Sequence, residues 1–279
     1  MDFLIADNKI IHKDDINFIA FFWGEPFVLS QKMWFGYGGI PLFQENIDLL
    51  FQQIELLNLP LPELIKNTKE LFRITKRMLN KNKFYRSGLI HLQLFWHDSQ
   101  INSVITSLAF PEFDFPFSKH GLLLNYSSFK KHSEISLNRF SFYNSPLWKA
   151  SEGQLRDSHF QNSVFLNENN FICECINANI FMIKENMLIT PSLQTGCFED
   201  KLRNTILGIA TNINLKVVES AKIKKEDLTE MDEIFLASEE NGVQWVLGVE
   251  NKRFLHLFSA KIHEKLNEYL KGPLVSKRN

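Results

Sequence analysis

Apolar positions along the chain follow two periods, and the period changes from segment to segment. Phe3 to Ile5 and Ile10 to His12 flank Asp7-Asn8, which predicts a hairpin, because Asp and Asn tolerate the backbone of a tight turn. Phe27 to Met33 reads as a strand, stopped by Gly36, Gly38 and Gly39. That GYGG set lacks the spacing of a phosphate cradle and reads as a turn. Ile47, Leu50, Phe51, Ile54 and Leu57 recur at helical spacing, so a helix is predicted over 44–57. Pro60 and Pro62 punctuate, and a second amphipathic helix is expected over 63–79. Strands over 88–96 and 103–110 follow, joined around Asp98-Ser99.

The segment from Pro111 to Gly121 has two prolines and no period, which is the composition of a linker. We set the domains at 1–113 and 122–279, with 114–121 between them. Past the linker the pattern predicts a strand over 122–126 and a helix over 146–158. Strands are predicted over 163–166, 171–176, 179–183 and 187–190, separated by turns at 167–170 and 185–186. A helix over 200–213, a strand over 216–220 and a short helix over 225–231 come next. Strands over 234–237 and 244–249 and a helix over 259–270 close the chain. Strands and helices mix throughout, so the class is mixed α/β, in two α/β domains.

The 279 residues are 44% hydrophobic, enough for a sizeable core. Phe is overused, at 26 residues, which reads as a core built from Phe. A formal charge of −1 gives no reason to expect nucleic acid or an anionic membrane as partner. No apolar run is long enough to span a bilayer, and the N-terminus has no signal-peptide pattern. Cys173, Cys175 and Cys197 lack framework spacing and read as reduced thiols, so a cytoplasmic location is expected. A metal site is not expected, since further ligands are missing near them. The scattered histidines form no Ser-His-Asp or Cys-His set.

Between Gln161 and Arg203 the residues carry a recognisable order: Glu174 ending a strand, Asn179-Ile180-Phe181, Leu188-Ile189-Thr190-Pro191, Gly196 and an Arg-bearing helix with Arg203. This block resembles the fold-type IV pyridoxal-phosphate family, which holds class IV aminotransferases and 4-amino-4-deoxychorismate lyase. Residues 232–246 resemble the family's late strand pair, and 40–57 its early helix. The resemblance implies a two-domain, D-amino-acid aminotransferase-like fold with a smaller N-terminal domain and a barrel-like C-terminal one. It implies pyridoxal phosphate as cofactor, a homodimer, and a small-molecule ligand in the interdomain cleft. In that family a lysine holds the cofactor as a Schiff base and a carboxylate pairs with the pyridine nitrogen. Glu174 matches that carboxylate; strand alternation alone would equally make it a solvent-facing Glu beside two inward cysteines. Asn179, Lys201 and Arg203 are the other candidate cofactor contacts.

The resemblance fails at the amine. The family lysine lies a little over thirty residues before the Glu, which lands here on Phe140 to Phe142. The nearest lysines are Lys131, read as preceding a strand, and Lys149, inside a predicted helix. Arg139 cannot form an imine because its guanidinium stays protonated. Other family positions have changed too. The early His-x-x-Arg-Leu is Asn46, Ile47, Asp48, Leu49 and Leu50; Tyr-Gly-Asp-Gly-x-Phe-Glu-Thr is Trp23 to Ser30, with Leu29 for its Glu. The Gly-Ile-Thr-Arg phosphate turn is Asp200-Lys201-Leu202-Arg203, and the late phosphate turn carries Glu239 and Glu240. A carboxylate beside a phosphate dianion is unfavourable unless compensated. Two functions stay open. One is a pseudoenzyme of ligand- or partner-binding role, with the cofactor not covalently bound or not bound at all. The other is an active pyridoxal-phosphate lyase or aminotransferase with unconventional site residues.

Overall fold

A computed structural model of the chain describes residues 1–17, 26–97 and 101–275. The Asp98-Ser99 turn and Trp23 to Glu25 lie outside the described residues. The described chain divides into two compact units, Met1–Asp114 with Leu270–Asn279, and Phe115–Tyr269.

The first unit is a five-stranded antiparallel sheet in the order β2-β1-β5-β4-β3. Its strands are β1 (Phe3–Ala6), β2 (Lys9–His12), β3 (Phe27–Gly36), β4 (Ser87–Trp96) and β5 (Ile101–Phe110). Asp7 and Asn8 turn the first hairpin with φ of 43° and 67°, the left-handed pair that a two-residue turn needs. Helix α1 (Phe43–Leu56) buries Ile47, Leu50 and Ile54, as its period predicts. Its Asn46, also buried, accepts from Gln31 Nε2 at 2.7 Å and donates to Leu42 O at 2.9 Å. Leu49 is core.

The single helix expected over 63–79 is two: α2 (Glu63–Lys66) and α3 (Thr68–Lys81). Asn67 separates them, because its side chain accepts from Glu70 N at 3.1 Å and starts α3 afresh. An Asn that caps satisfies an otherwise orphaned N–H, and the apolar period runs on across the break.

The second unit holds a nine-stranded mixed sheet, β11-β10-β9-β12-β13-β6-β7-β8, with β14 beside β13. The strands are β6 (Leu122–Lys131), β7 (Asn162–Asn167), β8 (Ile172–Cys175), β9 (Asn179–Lys184), β10 (Met187–Pro191), β11 (Lys216–Ser220), β12 (Glu233–Ser238), β13 (Gly242–Val249) and β14 (Lys252–Arg253). A bridge between Cys175 and Ala178 ties β8 back to the entry of β9, so the sheet curls into the expected barrel-like form. Inside lie Val164, Ile172, Ile180, Met182, Ile234, Leu236 and Val246. Helices α4 (Ser141–Leu155), α5 (Lys201–Asn212) and the start of α6 (Leu257–Val275) complete the unit. Helix α4 begins five residues before Pro146, where a helix start was expected, and residues 225–231 hold a 3₁₀ turn, Glu226–Glu230.

Candidate functional site

Every residue of β8 is buried, because this part of the sheet is covered on both faces. Glu174 is 0% exposed, which overturns the solvent-facing reading: alternation predicts an exposed face only where one face meets water. A buried carboxylate needs donors, and Glu174 has three. Trp148 Nε1 donates to Oε1 at 2.9 Å. Lys131 Nζ and the Phe198 N–H both donate to Oε2, each at 2.6 Å. The Lys131 and Glu174 side chains are both 0% exposed.

Lys131 arrives there because β6 is longer than its apolar pattern. It ends at Lys131 rather than near Tyr126, so Lys131 closes a strand instead of preceding one. After a register shift past Tyr126, β6 pairs in parallel with β7 at Lys130↔Leu166 and Lys131↔Asn167. In turn β7 pairs with β8 at Phe165↔Glu174. Two strand pairings therefore fix the lysine beside the carboxylate.

Phe140 is buried at the N-cap of α4 and its ring stacks on Phe142 at 6.2 Å. Asn144 Nδ2 donates to Phe140 O at 2.9 Å and to Asn138 O at 2.7 Å, pinning the segment. Lys149 lies on the exposed face of α4, paired with Glu152 at 2.9 Å.

The other polar end is the N-terminus of α5. Asp200 caps it: Leu202 N donates to Oδ1 at 2.8 Å, and Glu239 N donates to Oδ2 at 3.1 Å. Asp200 keeps some surface, yet desolvation pushes its carboxyl up to about 6, against the opposing pull of those N–H groups and of Lys201. Asn179 Nδ2 donates to Phe198 O at 2.8 Å, and its Oδ1 accepts from Asp200 N at 3.3 Å. Residues 198–200 thus link Glu174, Asn179 and Asp200. Lys201 bonds Glu199 at 2.8 Å, and Arg139 bonds the other oxygen of Glu199 at 2.6 Å. Burial works to raise the Glu199 carboxyl, but these two cations hold it below the ordinary range. Arg203, 3% exposed, spends its guanidinium on Pro191 O at 2.8 Å and Glu219 at 2.6 Å. Of the four candidate contacts, Glu174 and Asn179 share one network, while Lys201 and Arg203 are each committed to a separate carboxylate.

Cys173, Cys175 and Cys197 are free and buried. Desolvation raises all three thiols, Cys197 to about 11, so they are inert hydrophobes.

These residues do not fit pyridoxal phosphate. That cofactor asks for a carboxylate free to meet the ring nitrogen, an amine for its aldehyde and a host for its phosphate. The carboxylate already holds an ammonium, a phenylalanine stands where the amine is expected, and the helix terminus already holds a carboxylate. Sequence reasoning missed Lys131, Trp148 and the capping role of Asp200. The available signal was Asp200 itself, a favoured N-cap residue just before a periodic run.

Residues 66–247 match the family model for amino-transferase class IV. A probable branched-chain-amino-acid aminotransferase of Rickettsia bellii is 23% identical over 252 residues, covering 84% of each chain. Among solved structures, the PLP-form of a branched-chain amino acid aminotransferase from Thermobaculum terrenum superposes with a TM-score of 0.84 at 15% identity, covering 97% of this chain and 94% of that one. A putative 4-amino-4-deoxychorismate lyase from Legionella pneumophila gives 0.73 at 17%, covering 87% and 91%.

Proposed function

The chain belongs to the class IV amino-transferase family, and we propose that it keeps that fold without performing ordinary transamination, its role being to bind a ligand or a partner. The observation that carries this reading is the sealed Lys131–Glu174 pair. Lys131 cannot double as the cofactor amine in the family's pose. An amine bonded to the aldehyde carbon would lie a full pyridine ring away from the carboxylate that meets the ring nitrogen, and Lys131 touches that carboxylate directly. We extend the reading to assembly as a homodimer, as the family resemblance implies; light scattering should give about twice 32.6 kDa.

The test is borohydride reduction after incubation with pyridoxal phosphate, followed by peptide mass mapping. No stoichiometric pyridoxyl-lysine should form. One such adduct, at Lys131 or at any lysine of the second unit, would overturn the proposal in favour of an active pyridoxal-phosphate enzyme.

A further inference from the structure

The first unit carries a cavity of its own. It measures about 530 Å³ and is lined by Phe35, Tyr37, Phe84, Tyr85, Phe113, Lys76 and Lys271 among others. That volume is within the range of small-molecule sites, roughly 300–1,000 Å³. We propose that it binds a flat aromatic carboxylate, stacked on the rings and held at the rim by the two lysines.

The walls argue for flatness. Phe35 and Phe84 stack with centroids 6.4 Å apart and planes 3° from parallel. Tyr37 and Phe113 stack at 6.5 Å and 20°. Two stacked pairs present planar faces, which favour a planar apolar partner over a flexible chain. Phe113 is 51% and Tyr85 62% exposed, so ring surface is available to an incoming molecule.

The turn that supplies Tyr37 argues that the ring is not incidental. Gly36 bridges to Gly39, leaving Tyr37 and Gly38 as a two-residue turn with φ of 52° and 77°. Both positions need left-handed backbone, and Asn, Asp or Gly are preferred there. A bulky L-residue is disfavoured in that conformation. Here it places a ring against Trp34, 6.0 Å away, and Phe113. Its hydroxyl is buried with no hydrogen-bond partner among the described residues, an unmet polar group at the cavity wall.

The rim argues for charge. Lys76 and Lys271 line the cavity and, among the described residues, no carboxylate does. Lys76 has no ion-pair partner among the described residues; its ammonium lies 5.8 Å from the Phe72 ring centre. Lys271 lies 5.4 Å from the Tyr37 ring centre and bonds Asp114 at 2.8 Å, both side chains 42% exposed. A pair that exposed is weakly held, so the ammonium can turn to an anion without a buried charge being stranded.

The experiment is calorimetric titration of the full chain with 2-naphthoate and with the uncharged 2-naphthalenemethanol, at low and at moderate salt. The carboxylate should bind one per chain, about tenfold tighter than the alcohol at low salt and with less advantage as salt rises. Lys76→Gln/Lys271→Gln should remove the preference and leave binding of the alcohol unchanged. Tyr85→Ser, which alters an exposed ring, should weaken both ligands. Circular dichroism of each variant verifies the fold. Equal affinity for the two probes, a double variant that binds naphthoate like the parent, or no saturable binding would each overturn the proposal. None of these residues touches the Glu174 network, so the outcome is independent of the borohydride test.

Discussion

Replacing Lys131 by Met tests whether the Glu174 pair is a structural element in its own right. Met has a straight stem that fills most of the lysine's volume, so the change removes charge more than packing. It leaves Glu174, at 0% exposure, with two neutral donors, Trp148 Nε1 and Phe198 N. Breaking a buried pair from one side costs about 3–5 kcal/mol, because a charge is stranded away from water. At roughly 2–4 °C per kcal/mol, the unfolding midpoint should fall by about 6–20 °C. Glu174→Gln strands the ammonium instead and should cost about as much. The double change, Lys131→Met with Glu174→Gln, strands neither charge and should be milder than either single change. Urea unfolding followed by circular dichroism, run as a double-mutant cycle, should give a coupling of about 2 kcal/mol or more. A loss below about 1 kcal/mol for Lys131→Met, or additivity within about 0.5 kcal/mol, would refute the reasoning and remove the support it gives to the proposed function.

Two further expectations concern single caps. The Asp200 carboxyl is raised by burial from 3.8 to about 6, so between about pH 4 and 6 the unfolded chain loses this proton while the folded chain keeps it. Its contribution to stability therefore falls as pH rises through that window, by about 2–3 kcal/mol in all. Asp200→Asn keeps an acceptor for Leu202 N without the charge; its stability should change less than the parent's over that window, and parallel curves would show the idea wrong. Asn67→Ala removes the cap on α3 and should cost about 1 kcal/mol, read as faster amide exchange at Glu70; unchanged exchange there would mean that the break between α2 and α3 has another cause.

What was legible in the sequence follows from how local the governing physics is. The Asp7-Asn8 hairpin, the strand over 216–220 and the core face of α1 are settled within a few residues, and each could be read directly. The end of β6 could not. Residues 127–131, Ser-Ser-Phe-Lys-Lys, show no apolar alternation, and they are strand because β7 pairs with them across a long connection. Glu174 shows the complementary failure. Alternation between two cysteines suits an outward carboxylate, and only the cover on both faces of the sheet makes that position core. The family resemblance singled out Glu174 and Asn179 as expectations, and the structure shows both buried in one hydrogen-bonded network. A motif written as residues at fixed spacing has no place for a lysine that arrives from another strand, as Lys131 does.

That arrival has a physical logic. A buried carboxylate cannot simply lose its partner; it must be protonated, removed or given a new cation. In this chain the cation on Glu174 is Lys131, and the Leu202 N–H at the head of α5, which would otherwise be orphaned, is capped by Asp200. Each polar end therefore has an internal counterpart of the right sign: an ammonium on the carboxylate, and a carboxylate on the helix terminus. Residues 198–200 and the β8 strand are thereby held by bonds among the protein's own groups. On the function proposed above, the Lys131–Glu174 pair is what would let the fold persist under selection for something other than transamination, because its buried carboxylate is neutralised by a side chain of the protein itself.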